Sequence, residues 1–230
     1  MLRKKLILIV LFVSILFYAK RIYSAPCYGP HMPKEKSFVI GVQSHTILKR
    51  YLEDEFGKIR SLQNFILLSY GIRDWLCLDL KGGSGYIKQH PLNKDELDYS
   101  TGFAGGYGFR LRLYDQNNKK IIFGFQHISA HPKKVSSDNQ KNEAILDDWQ
   151  SSLLFSCEIM KFSPYIGTKY SRLDYIHRWD GQRKRRNSDL TKSLGLILGL
   201  DFNIDGRYWV NLETQFFDVE AFSLSINFSF

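Results

Sequence analysis

Ala221-Phe222-Ser223-Leu224-Ser225-Ile226-Asn227-Phe228-Ser229-Phe230 alternates without a slip. Phe222, Leu224, Ile226, Phe228 and Phe230 fall on one side, and Ser223, Ser225, Asn227 and Ser229 on the other. Only a strand has the two-residue period this pattern needs. Five large apolar groups on one face of a final strand suit a transmembrane barrel, whose closing strand meets lipid outside and a polar lumen inside.

Working back from this stretch, nine more strand-like segments appear. The set runs approximately 37–50, 58–71, 75–88, 100–114, 119–130, 148–159, 163–176, 191–203, 207–217 and 221–230. Each is long enough to cross a bilayer as a tilted strand of about 9–11 residues. In the fourth, Phe103, Tyr107, Phe109, Leu111 and Leu113 oppose Arg110, Arg112 and a run of small residues. In the ninth, Tyr208, Val210, Leu212 and Phe216 oppose Arg207, Asn211, Glu213 and Gln215. Small residues on the polar face suit a narrow lumen, where large ones would collide. The second, fourth, sixth and eighth connections are tight and include Asn117-Asn118 and Asp205-Gly206, pairs that tolerate positive φ. The third, fifth and seventh connections (89–99, 131–147 and 177–190) are long and polar. Short periplasmic turns and long external loops follow if both termini are periplasmic. The expected fold is all-β, a single antiparallel up-and-down barrel of ten strands, or eight if the first hairpin folds over the barrel. A soluble sandwich or lipocalin-like barrel would put the apolar face inside. Gly, Arg, Asp and Glu sharing a face argue against that, because a dry interior rejects unpaired charge.

The quoted C-terminus resembles the closing signature of bacterial outer-membrane barrel proteins. The segments DDWQSSLLFSCEI, FSPYIGTKYS, GLILGLDFNIDGRYWVNLE and AFSLSINFSF are similar to the last four strands of opacity-type outer-membrane proteins. That resemblance implies a bacterial outer-membrane location. It implies partnership with the barrel assembly machinery, which reads Phe222, Leu224, Ile226, Phe228 and Phe230, and with periplasmic chaperones. It implies no particular chemistry.

Arg3, Lys4 and Lys5 precede an apolar run from Leu6 to Ala19, and Ser24-Ala25 makes a small-residue cleavage end. Residues 1–25 therefore read as a signal peptide, 26–36 as an N-terminal periplasmic segment, and 37–230 as the barrel. The net charge of +9 belongs partly to the leader; without it 27 basic residues face 23 acidic ones. That balance does not call for nucleic acid. Cys27, Cys77 and Cys157 give no metal motif and no disulfide framework, so the thiols read as free. Nothing in the residues asks for a cofactor or metal.

Parity points His45, Asp79, Lys81, Arg110, Arg112, Glu158, Lys169, Asp201, Arg207 and Glu213 into the lumen. Mixed signs in a narrow barrel predict a structural ion-pair network; the alternative is a narrow porin, with Arg110 and Arg112 favouring anions. On the opposite face, His127 and Ser129 meet the outer leaflet. That pair is similar to outer-membrane lipid A deacylases, a resemblance that makes Ser129 the nucleophile and His127 the base, with Glu143 the nearest acid. The family motif continues Asn-Ala after the serine, whereas Ala130-His131-Pro132 stands here, and no oxyanion-hole residue is identifiable. A ten-stranded barrel also resembles outer-membrane aspartyl-type proteases, but Asp147-Asp148 alternate in facing and cannot share a water. Arg183, Lys184, Arg185 and Arg186 crowd the seventh connection, where lipopolysaccharide phosphates are the neighbours and Arg binds phosphate in bidentate fashion. The expected role is structural or surface-interacting, without catalysis. Oligomeric state is not written in the residues.

Overall fold

The computed structural model describes residues 28–230 other than 93–94, 138–139, 180–181 and 188–191, with the backbone alone at 137, 140, 179 and 182–187. The expected leader, Cys27 and the side chains of Arg183, Lys184, Arg185 and Arg186 lie outside the described residues. Among the described residues twelve strands form one antiparallel sheet: β1 Phe38–Tyr51, β2 Lys58–Arg73, β3 Leu76–His90, β4 Leu97–Gln116, β5 Lys119–His131, β6 Val135–Ser137, β7 Gln140–Cys157, β8 Phe162–Trp179, β9 Gln182–Asn187, β10 Leu194–Asn203, β11 Tyr208–Phe216 and β12 Glu220–Ser229. Ten of them close a barrel; β6 and β9 are appended to β7 and β8 beyond its outer rim. Closure joins β1 to β12, Val39 facing Ser229 and Thr46 facing Phe222. Phe38 N donates to Phe230 O at 3.2 Å and Phe230 N to Phe38 O at 3.1 Å. The final residue is therefore part of the seam.

The barrel is inside out relative to a soluble protein. Val42, Ile66, Leu80 and Ile226 are each more than half exposed on the outer wall. Gln43, Asp79, Lys81, Arg110, Lys169, Asp201, Asn211 and Glu213 are buried within. Alternation produces both faces from the same strands. Aromatic pairs ring the periplasmic end: Phe38 with Tyr70, Phe162 with Phe202, and Tyr208 with Phe228, at 4.6, 5.0 and 4.6 Å. Among the described residues no helix is long and apolar enough to cross a membrane. An apolar belt, a girdle of aromatic residues, tight turns and a polar interior define an outer-membrane-type barrel.

Two boundaries differ from expectation. The fifth and seventh connections are mostly strand rather than loop. Asn142, Ala144 and Leu146 continue the β7 alternation, Leu173, Tyr175 and His177 continue β8, and the ladder runs to Asn142 facing Trp179. Residues 28–32 do not stay in the periplasm either. They thread into the lumen as a strap.

The lumen is filled in three layers. At the outer end, Ile47, Leu52, Phe56, Ile59, Ile87, Tyr99, Ile128, Leu146, Leu173 and Tyr175 belong to one buried apolar cluster. A 3-10 turn, Asp54–Phe56, folds Phe56 into it, and Gln89 Nε2 holds Phe56 O at 3.2 Å. Charged pairs occupy the middle. Nearest the periplasm, Met32 of the strap packs with Cys77, Ile122, Leu154, Tyr165 and Ile197.

Candidate functional site

Arg110 organises the middle layer. Its Nε donates to Asp79 Oδ2 at 2.9 Å and its Nη2 to Asp79 Oδ1 at 2.8 Å. Ser69 Oγ adds a bond to the same carboxylate at 2.5 Å. The remaining Nη1 reaches the strap, donating to Gly29 O at 3.2 Å and His31 O at 2.5 Å. His31 N in turn donates to Asp201 Oδ2 at 3.2 Å, and its ring stacks on Trp209 at 3.9 Å. Lys81 lies 4.0 Å over the Tyr28 ring and donates to Gln43 Oε1 at 2.9 Å. Charges this deep persist only when paired and hydrogen-bonded, and the strap carbonyls complete the pairing.

A second pairing centre sits above. Asp218 accepts from Arg50 at 2.9 Å and lies 3.0 Å from Lys169 Nζ. Lys169 also donates to Gln215 Oε1 at 2.6 Å, and Gln215 bridges to Glu213. Arg50 and Asp218 escaped sequence parity, because one lies next to a β-bulge in β1 and the other in the β11–β12 turn. His45 Nδ1 is 2.6 Å from Ser223 Oγ.

Two expected lumen residues sit elsewhere, and a third stands at the mouth. Glu158 follows the end of β7 and pairs at the exposed periplasmic edge with Lys120 at 3.3 Å. Arg207 is exposed in the turn before β11. Arg112 is at the periplasmic rim, 3.1 Å from Asp115. Parity holds only while the strand lasts, and Glu158 and Arg207 stand past strand ends; Arg112, inside β4 and opposite the buried Ile122, keeps it. Cys77 and Cys157 are free, the first buried in the lumen.

The outer wall carries another cluster. His127 and Ser129 do face outward from β5, at its external end. Cross-strand register sets Ser129 opposite Asp147 and His127 opposite Trp149. Ser129 Oγ donates to Asp147 Oδ1 and lies 2.8 Å from His131 Nε2. His127 Nε2 is 3.7 Å from Asp147 Oδ1, and its ring packs on Trp149 at 3.9 Å. Glu143 is not the carboxylate beside this serine. It lies farther out on β7 and pairs with Lys134 and, at 3.3 Å, with Arg178. Asp147 occupies the place expected of it, a contact set by a ladder that spacing alone does not reveal.

The chemistry of this cluster follows from proton counting. A nucleophilic serine gives its one proton to a histidine, and the carboxylate orients that histidine. Here Ser129 gives its proton to Asp147, and the carboxylate lies between His127 and Ser129. His131 then donates to Ser129 instead of accepting from it. The arrangement as drawn is a hydrogen-bonded tether between β5 and β7; a relay needs Ser129 to rotate from Asp147 to a neutral His131. Among the described residues no group of His, Cys, Asp and Glu is arranged to hold a metal ion.

No protein-family model matches the chain, and no curated protein matches it in sequence. Solved structures of outer-membrane proteins are similar to it. An outer membrane channel from Pseudomonas putida F1 has 9% identity and a TM-score of 0.47, covering 90% of this chain and 100% of that one. The translocator domain of the autotransporter NalP from Neisseria meningitidis has 9% identity and a TM-score of 0.46, covering 87% and 90%. Ail, the attachment invasion locus protein of Yersinia pestis, has 12% identity and a TM-score of 0.42, covering 86% and 100%. At such identity no residue role carries over from any of them.

Proposed function

We propose that this protein is a closed outer-membrane barrel with a structural and surface-interacting role, not a porin. The observation that carries the reading is the double seal. The strap, held by Arg110, fills the periplasmic half of the lumen, and the apolar cluster around Tyr99, Tyr175 and Phe56 fills the outer half. A barrel of this strand number leaves little room beyond its own side chains. What remains for interaction is the outer rim and the strands that rise above it. Planar bilayer recording of the purified protein tests the reading: silence is expected, and discrete conductance steps overturn it.

One observation favours a second reading, a hydrolase acting on acyl groups of the outer leaflet. Ser129 stands at the lipid-facing rim within hydrogen-bond reach of His131. Mass analysis of lipid A from cells carrying the wild type or Ser129→Ala decides it. Identical acylation patterns in both remove the hydrolase.

A further inference from the structure

Above the outer rim β7 and β8 run on together and acquire a strand on each side. β6 pairs with Gln140–Asn142 of β7, and β9 pairs with Asp174–Trp179 of β8. The result is a four-stranded antiparallel platform in the order β6-β7-β8-β9. β9 is its last strand, and among the described residues its far edge has no partner. In an antiparallel ladder alternate residues bond to one side, so about half of β9 directs its N–H and C=O groups at that open edge. An open edge is a template for another strand.

The residues on this edge narrow what pairs with it. β9 reads Gln182-Arg183-Lys184-Arg185-Arg186-Asn187, with no acid and no proline. Register sets Arg183 opposite Arg178 and Arg185 opposite Ile176 on one face, and Lys184 opposite His177 and Arg186 opposite Tyr175 on the other. Both faces of the edge are thus basic. A second copy would bring basic edge against basic edge, and like charges directly opposite destabilise a pair. Basic residues on an edge also discourage indiscriminate pairing. The partner that satisfies both the backbone and the charge is an extended strand carrying acidic side chains.

We propose that β9 is a strand-addition site for an acidic, extended polypeptide segment presented at the cell exterior. The proposal rests on the surface-interacting reading and names its partner class. Backbone pairing supplies the affinity and the Arg and Lys side chains select for acid. Lipopolysaccharide phosphate satisfies the charge alone, because it has no N–H and C=O ladder to offer.

The test is fluorescence anisotropy of a labelled peptide of alternating Glu and Val with the folded protein in detergent. Two companions separate backbone from charge: the same peptide N-methylated at alternate residues, and a Lys–Val peptide. The Glu–Val peptide is expected to bind and the Lys–Val peptide not to. N-methylation is expected to weaken binding roughly tenfold or more, the scale of losing one or two net hydrogen bonds. Arg185→Pro is expected to weaken it more than Arg185→Gln, although both remove the same charge, while heat-modifiable migration stays intact in each because β9 is outside the closed barrel. Equal binding of the N-methylated peptide, with displacement by lipid A, overturns the proposal in favour of a polyanion surface. Absence of Glu–Val binding overturns it as well. A conducting barrel that still binds the peptide sinks the closed-barrel reading and leaves this one standing.

Discussion

Arg110 and Asp79 meet in a bidentate pair inside the barrel, Nε to Oδ2 and Nη2 to Oδ1, with both side chains buried. Strand β4 supplies the guanidinium and β3 the carboxylate, from directly neighbouring strands. The pair binds sheet to strap, since the nitrogen not spent on Asp79 holds the strap carbonyls.

Removing one partner is expected to harm more than removing both. Asp79→Ala leaves a buried guanidinium uncompensated and is expected to cost about 3–5 kcal/mol. Asp79→Ala with Arg110→Met removes the stranded charge and is expected to recover part of that loss. Urea midpoints in detergent micelles for the four proteins of the cycle check this. A double variant as unstable as the sum of the singles contradicts it.

Gly29→Ala is expected to unseat the strap without opening the barrel. Gly29 has φ +73°, and a Cβ there would lie 2.7 Å from Asn211 Nδ2. The left-handed backbone and the close approach both demand glycine. With the strap released, trypsin is expected to trim the chain at Lys34 and Lys36 under conditions that leave the wild type intact, as read by mass. Conductance is expected to stay silent, because the outer apolar layer does not involve the strap's backbone contacts. An untrimmed variant shows that the strap tolerates the strain.

Alternation made the barrel legible, and its limits mark what stayed hidden. Phe222, Leu224 and Ile226 are exposed and Ser223, Ser225 and Asn227 buried, as a two-residue period requires. Asp79, Lys81, Arg110, Lys169, Asp201 and Glu213 face inward for the same reason. Parity has no say beyond a strand end, which is why Glu158 and Arg207 fall at the rim and why Asp218, in a turn, went unnoticed between two cations. It has no say about the register across a connection, so the nearness of Asp147 to Ser129, 18 residues earlier in the chain, was invisible. The strap has no periodicity at all. Tyr28-Gly29-Pro30-His31 enters the lumen through carbonyl groups that every residue carries, a signal no composition displays.

The periplasmic turn before β11 carries a pH-dependent contribution. Asp205 Oδ1 accepts from Tyr208 N at 2.9 Å and Arg207 N at 3.0 Å. These backbone donors hold its carboxyl below the ordinary carboxylate range, that of Tyr208 first. A depressed folded pKa contributes stability above the unfolded pKa, about 4 for Asp, and loses it as pH falls through the folded value. The wild type is therefore expected to exceed Asp205→Ala in urea midpoint at neutral pH, with the gap closing in acid below the carboxylate range. A gap that persists unchanged at low pH assigns it to turn sterics instead.

Phe217 is expected to be a site where truncation stabilises. It sits in the external β11–β12 turn with φ +77° and is 75% exposed. Its neighbours explain the conformation. Asp218 is anchored by Arg50 and Lys169, and Val219 is buried, so two successive side chains enter the barrel and the residue before them takes up the reversal. A left-handed backbone costs an L-residue about 1–2 kcal/mol and glycine almost nothing. Phe217→Gly is accordingly expected to raise stability by about 1 kcal/mol in micelles, where the exposed ring has little packing to lose. Phe217→Ala keeps the Cβ and is expected to show no such gain. If the alanine variant gains as much as the glycine variant, the backbone is not the source of the strain, and the exposed ring itself is the destabilising element.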